Sequence, residues 1–570
     1  MLKAVLGVAV ILTTAETSTN AAGYMLNNDS IYRHIAILAN DSLEGREVGE
    51  PGEWKAAQYI SEVFKSAWLV PKGDNGSYFQ AFEFTKRIEF GLNNKLAVNG
   101  VELILNEEYQ PLHQSASASF SFENIVFVDY GITVDSSEGD YDDYRGNDVS
   151  GKAVLIKRYN PDSTVNPHID FSKYSSFTDK INNAVNKGAA GIFFYTPIEQ
   201  DDTIPSFGPV RVTPKEVPVV FLRRKALEKL GIDLNNPLIM STSGQTELIK
   251  TRDTGFNVIG YLPSGNDTTI VIGAHYDHLG WGTEASTYKG KERMIHNGAD
   301  DNASGTSAVL ELARYFSSHR EQLKYSLLFC SFSGEEAGLL GSNYFTKNMT
   351  INPQAVRMMI NFDMIGRLKD QESGLAIFGV GTATDLQEYF KTVDTTKIKF
   401  AVKETGTGPS DHTAFYNQNI PVLHFFTGAH SDYHKPSDDV ELIDIDGTRK
   451  VIEFAAETIS HFDKLDQPLV FQRTKDPEGG RMRTSFSVTL GVMPDYIAEV
   501  IGMRIDGVSS DRPAERAGIK AGDVLVEMGG MPVADIYDYM SCLSKFRLHD
   551  TTNVIVQRGE EKLRLTVIFE

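Results

Sequence analysis

TTIVIGAHYDHLG, residues 268–280, is an apolar run that stops on a histidine followed two residues later by an aspartate. It reads as a buried strand ending in metal-ligand residue types. The pattern repeats on either side. KYSLLFCSF (324–332) runs into Gly334, Glu335 and Glu336, VRMMINF (356–362) runs into Asp363, and IPVLHFF (420–426) is followed by a loop carrying Tyr433 and His434. Between these strands lie amphipathic helical stretches, SAVLELARYF (307–316) and, near the end of the region, RKVIEFAAETISHF (449–462). Alternation of apolar strands and helices predicts an α/β fold with a mainly parallel sheet covered by helices on both faces.

This core occupies about 251–465, and the remaining sequence is organised around it. EWKAAQYISEVFKSAWL (53–69) places Trp54, Ala57, Ile60, Phe64 and Trp68 at helical spacing, so 23–115 opens with an amphipathic helix. From 116 to 250 short strands such as KAVLIKRY, GIFFY and VPVVFL surround a helix near DKINNAVNKGAA, which predicts a small inserted α/β module. Residues 466–480, with Pro468, Pro477, Gly479 and Gly480, read as a linker, and 481–570 suffice for one small domain.

The 570 residues are 41% hydrophobic and 23% charged, a globular composition too long for one core. A net charge of -21 disfavours nucleic acid and anionic membrane surfaces as partners. MLKAVLGVAVILTTAETSTNAAG (1–23) has the layout of a secretory signal peptide ending near Ala22, which predicts an exported protein, periplasmic or extracellular. No later stretch approaches the apolar length of a membrane span. Cys330 and Cys542 fall in different predicted domains, so no disulfide framework is expected.

Loops leaving the carboxyl ends of parallel strands converge on one crevice. His275, Glu336, Asp363 and His434 occupy such loops, and Asp300, Asp301 and Asn302 precede the helix beginning near Ser304. Zinc takes imidazole and carboxylate ligands, and a catalytic site keeps positions open for water and substrate. Five residues hold two ions if one carboxylate bridges: His275, Asp301 and Asp363 for one, and Asp301, Glu336 and His434 for the other. Two ions about 3.5–4 Å apart activate a water and polarise a carbonyl. Glu335 is left over as general base and then proton donor to the leaving amine. Asp277 is placed to fix the His275 tautomer, and Tyr433 to donate to a developing oxyanion.

The motifs HYDHLG, GADDNASG, SGEEAGLLGS, NFDMIG, PSDHTAF and YHKPSDD resemble the two-zinc aminopeptidase family that also contains glutamate carboxypeptidases and the transferrin receptor ectodomain. The resemblance implies that Asp301 rather than Asp300 bridges, that Glu336 is the ligand and Glu335 the base, and that SLEGREVGEPGEWKAAQYISEVFK packs onto the later sheet. It leaves His412 of PSDHTAF as a structural or pocket-wall residue. The insert, with NKGAAGIFFY and VPVVFL, is similar to the protease-associated domain, which the resemblance places over the site or on the path to it. The C-terminal segment resembles a bacterial PDZ domain, with Leu490, Gly491 and Val492 as the loop that would hold a peptide or protein C-terminus. TLGV departs from the usual double-glycine form of that loop.

The function expected is zinc-dependent release of N-terminal amino acids from peptides. A carboxypeptidase or glutaminyl cyclase on the same fold is the enzymatic alternative, and a cyclase commonly needs one metal. A non-catalytic receptor-like or PDZ-scaffold protein predicts missing ligands, and none of the five is missing. The acidic residues Glu335, Asp300 and Asp301 suit a substrate ammonium better than a carboxylate.

Overall fold

The computed structural model describes residues 24–569 except 137–138, 163–164, 167–168, 170, 199, 201, 205–214, 284, 289, 371–373, 475–487, 495–499, 509–511, 534–535, 544, 547–548 and 560. The leader expected at 1–22 and the end of the expected linker, 475–480, lie outside the described residues. A nine-stranded sheet is built from β1 (Val70–Pro71), β2 (Phe79–Phe90), β3 (Leu248–Leu262), β4 (Thr269–His275), β5 (Ser326–Phe332), β6 (Val356–Phe362), β7 (Leu375–Phe378), β8 (Phe400–Val402) and β9 (Val422–Phe426). Its order is β1-β3-β5-β4-β6-β9-β7-β8, with β2 also pairing with β3. The strands β5, β4, β6 and β9 are parallel neighbours. Toward both sides the pairing turns antiparallel, at β3 against β5 and at β7 against β9. The sheet is thus parallel where the predicted ligands leave it, with an antiparallel pairing on either side of that centre and a parallel pair, β7 with β8, at one edge.

Every residue of β4 and β5 is buried, which explains why these strands read as continuous apolar runs rather than alternating ones. Their side chains alternate between two cores. Ile270, Ile272 and Ala274 join residues of α1 (Asn28–Leu38), α2 (Pro51–Ser66), α3 (Gly305–Ser318) and α7 (Ile445–Lys464). Val271 joins Leu328, Cys330, Met359 and Phe415 on the opposite face, covered by α4 (Leu340–Lys347) and α6 (His412–Tyr416); α5 (Thr384–Thr392) packs with the first core through Leu386 and Phe390. Each fully buried aliphatic side chain of this kind contributes about 1.5–3 kcal/mol. The N-terminal segment is therefore part of the same domain: α1 and α2 bury Ile31, Ile35, Ile60 and Phe64 against the sheet's helices.

The chain between β2 and β3 forms a separate core. Four parallel strands, Val126–Phe127, Ala153–Lys157, Gly191–Tyr195 and Val219–Leu222, are edged by Tyr109–Pro111, and the helix Phe177–Asn186 packs Ile181 and Ala184 on one face. The β2–β3 ladder runs from Val258 opposite Phe79 to Leu248 opposite Phe90, so the insert leaves and returns through one long two-stranded stem. The C-terminal unit has a core of its own, drawn from residues 488–569. Cys330 and Cys542 are free and buried. No helix among the described residues is long and apolar enough to cross a membrane.

Candidate metal centre

Because β5, β4, β6 and β9 run in one direction, their carboxyl ends open on the same side of the sheet. His275 is the last residue of β4, Glu335 and Glu336 follow β5, Asp363 follows β6, and His434 lies in the loop after β9. Asp301 belongs to the tight turn Ala299–Ser304 that feeds α3.

The structure brings all five together. His275 Nε2 is 3.4 Å from Asp301 Oδ1 and 3.3 Å from Asp363 Oδ1. His434 Nε2 is 3.2 Å from Asp301 Oδ2 and 3.2 Å from Glu336 Oε2. Asp301 thus offers one oxygen to each histidine. Ligands of a tetrahedral zinc ion at about 2.0 Å are set about 3.3 Å apart, so both groups have the spacing of donors around an ion.

Their tautomers point the same way. His434 Nδ1 lies 2.9 Å from the carbonyl of Ala285, and His275 Nδ1 lies 3.2 Å from the carbonyl of Asp277. An imidazole that donates Nδ1–H to a carbonyl keeps a lone pair on Nε2. Each Nε2 then faces carboxylate oxygens, which is repulsive unless a cation lies between. Buried His434 Nε2 and Glu336 Oε1 have no hydrogen-bond partner among the described residues, and the donor set fits a metal ion. Burial opposes charge on His275 and His434, yet Asp363 beside the first and Glu336 beside the second push both well above the ordinary imidazole range. The field here is strongly negative.

The groups around the donors are more specialised than their sequence spacing suggests. Asp277, fully buried, accepts the backbone N–H groups of Glu335 and Glu336 at 3.1 and 3.3 Å. Its carboxylate is 3.7 Å from His275 Nδ1, farther than its own carbonyl, so it positions the Glu335–Glu336 turn while the carbonyl faces the imidazole. Ser410 donates to Asp363 Oδ2 at 2.7 Å. Tyr433, 37% exposed, stacks on His434 with ring centroids 3.8 Å apart. Asp300 is turned away from the donors: it accepts Gly366 N–H at 2.6 Å and the Ser304 hydroxyl at 2.9 Å, with its other oxygen 3.2 Å from His430. Its carboxylate is therefore engaged, which removes it from the groups expected to meet a substrate ammonium. His412 is buried and stacks on His424 at 4.4 Å, against the wall of the site.

Comparison with known proteins matches three stretches of the chain to known families. Residues 257–459 match peptidase family M28, residues 124–230 the PA domain, and residues 476–568 the PDZ domain. The chain carries a family M28 peptidase domain. It is 31% identical over 173 residues to a probable leucine aminopeptidase of Trichophyton verrucosum, covering 29% of this chain and 44% of that one. It is 25% identical over 469 residues to aminopeptidase YwaD of Bacillus subtilis, covering 78% of this chain and 89% of that one. The chain thus spans under half the length of the Trichophyton relative and most of the Bacillus one. An aminopeptidase structure from Aneurinibacillus sp. strain AM-1 overlays 79% of this chain and 96% of its own with 22% identity and a TM-score of 0.46.

Three residues that spacing did not single out lie against the donors. Asp438 accepts the N–H groups of Asp300 and Asp301. Arg46, buried in the N-terminal segment, donates to the carbonyls of Tyr276, Leu38, Asn297 and Gly298 and so ties the His275 and Asp301 loops together. His278 lies 2.8 Å from Glu336. The doubled acid of YHKPSDD and the second histidine of HYDHLG were visible as residue types. Arg46 carried no signal, because its partners are backbone atoms of distant segments.

Proposed function

We propose that the protein is an exported zinc aminopeptidase that removes N-terminal residues from peptides using two metal ions. The observation that carries this reading is Asp301, which turns Oδ1 toward His275 and Oδ2 toward His434. His275 and Asp363 would complete one metal position, and Glu336 and His434 the other. Ions held there supply an acidified water and a polarised scissile carbonyl.

The chain's own residues do the rest. Asp277 holds the backbone of the Glu335–Glu336 turn, so that Glu336 serves as donor while Glu335 is left to take the water's proton and pass it to the leaving amine. Tyr433, whose phenol lies in the field of Asp301, Glu336, Glu335 and Asp363, is the candidate oxyanion donor. The excess of carboxylates favours a substrate with a free ammonium. Arg46, buried beside the centre, is committed to backbone carbonyls and so does not recognise a C-terminal carboxylate. The names of the relatives support the same direction. The PDZ domain would add recognition of a peptide C-terminus at Leu490, Gly491 and Val492, where the strand Val492–Pro494 starts and the Leu490 carbonyl accepts Ala514 N–H. Export rests on the apolar leader at 1–22.

One peptide and its N-acetylated twin, digested side by side and read by mass, test the reading. Shortening of the free peptide from its N-terminus alone is expected. Equal hydrolysis of both would remove the aminopeptidase assignment.

A further inference from the structure

His278 stands three residues beyond His275, outside the five-residue donor set. It is 1% exposed. Its Nδ1 is 2.8 Å from Glu336 Oε1 and 3.8 Å from Asp301 Oδ2, and His278, Asp301 and Glu336 form a group able to hold an ion. A histidine this close to a carboxylate is ordinarily hydrogen-bonded to it. Here neither His278 nitrogen nor Glu336 Oε1 has a hydrogen-bond partner among the described residues. A short separation between two buried polar atoms without an aligned N–H is the geometry of two donors aimed at a common third point.

The ring is held in that orientation. A Cβ added at Gly298 would lie 2.5 Å from Cγ and Cδ2 of His278, so only glycine lets the chain pass there. His434 stands across from it with ring centroids 5.8 Å apart at 70°, and the backbone N–H of His278 donates to the carbonyl of Arg46 at 3.3 Å. Glu336 divides its oxygens between the two imidazoles, Oε1 toward His278 and Oε2 toward His434.

We infer that His278 is a third histidine ligand, joining Asp301, Glu336 and His434 at the second metal position. This rests on the two-metal reading. Two imidazoles and two carboxylates at that position, against one imidazole and two carboxylates at the His275 position, make the pair unequal. The second position retains its ion more tightly, and the His275 position keeps more open coordination for water and substrate.

The full chain, loaded with zinc and titrated with a competing chelator, should release two equivalents in separate steps. His278→Ala is expected to weaken the tighter step at least tenfold and leave the weaker one unchanged. Cobalt-loaded wild-type protein gives an independent reading that does not depend on the variant folding: three shifted imidazole N–H resonances are expected with His278 bound, and two without it. Two equivalents with unaltered affinities in the variant and two such resonances in the wild type would overturn the inference and leave the two-metal reading intact. Binding of a single equivalent by wild-type protein would overturn both.

Discussion

Glu335 differs from Glu336 by one position and by everything around it. Burial pushes its carboxyl well above the ordinary range, with Glu336 and Asp363 adding to the rise and His275 opposing it. Glu336 moves the other way: burial raises it, but the neighbouring imidazole of His434 works against that, and the group is held at about 2. One carboxylate is thus suited to stay ionised as a ligand and its neighbour to exchange a proton. Glu335→Gln should keep its metal content by elemental analysis while turnover falls by about 10²–10⁴-fold, the usual worth of a general base. Asp277→Asn tests a different role. An amide in place of the carboxylate turns N–H groups toward the N–H of Glu335 or Glu336, so the turn should shift, and metal affinity should fall about 10–100-fold by chelator competition. Loss of activity with unchanged metal affinity would show that the Asp277 carboxylate acts elsewhere.

At the level of strands and loops, the centre of the sheet was legible because buried parallel strands leave long apolar runs and the residues just past them lie together in space. His275, Glu336, Asp363 and His434 could be gathered by that rule, whereas the choice of Asp301 over Asp300 rested on the resemblance of GADDNASG to the aminopeptidase motif. Antiparallel pairing toward the edges could not, since β3 and β7 carry no mark of strand direction. Nor could the turning away of Asp300, which depends on Gly366, Ser304 and His430 arriving from three other segments. Arg46 is the clearest case. It closes the short helical turn Asp41–Arg46 and meets carbonyls from residues 8 to 252 positions away. Burial lowers its guanidinium to about 10, which still leaves it charged at neutral pH. Arg46→Met would leave the buried carbonyls of Leu38, Tyr276 and Asn297 without the arginine's donors, while Gly298 keeps the Ala303 N–H, and a loss of at least about 3 kcal/mol is expected, read as a fall in the melting temperature of the metal-free protein. A melting temperature equal to that of the wild type would mean the loops are held by other contacts.

Across the whole molecule the apolar residues divide into cores that follow the chain's own divisions: two on the faces of the M28 sheet, others in the insert, and one confined to 488–569. A perturbation inside one unit should therefore be felt mainly there. Asp523 allows this to be tested with a defined sign. Its side chain is 1% exposed and receives Arg558 Nε at 2.6 Å and Nη2 at 2.7 Å, with Lys520 N–H at 2.9 Å. Arg558 also donates to the Gly518 carbonyl, so the pair fastens the last hairpin to the turn before the Val524–Met528 strand. Burial alone would raise the Asp523 carboxyl, but the Arg558 hydrogen bonds outweigh it and hold the group below its ordinary value. A carboxyl depressed in the folded state stabilises it above the unfolded pKa, about 3.9, and that stabilisation disappears as the pH falls through the folded value. Asp523→Asn should thus cost about 2 kcal/mol at pH 7, and the gap between variant and wild type should close as the pH drops below about 4. Hydrogen exchange of full-length protein should register the cost in the Thr551–Arg558 and Glu561–Ile568 strands and leave β4 and β5 of the M28 sheet unaffected. A gap that persisted unchanged into acid would show that Asp523 acts through packing and not through its charge, and protection lost equally in β4 would show that the C-terminal unit and the peptidase sheet unfold as one.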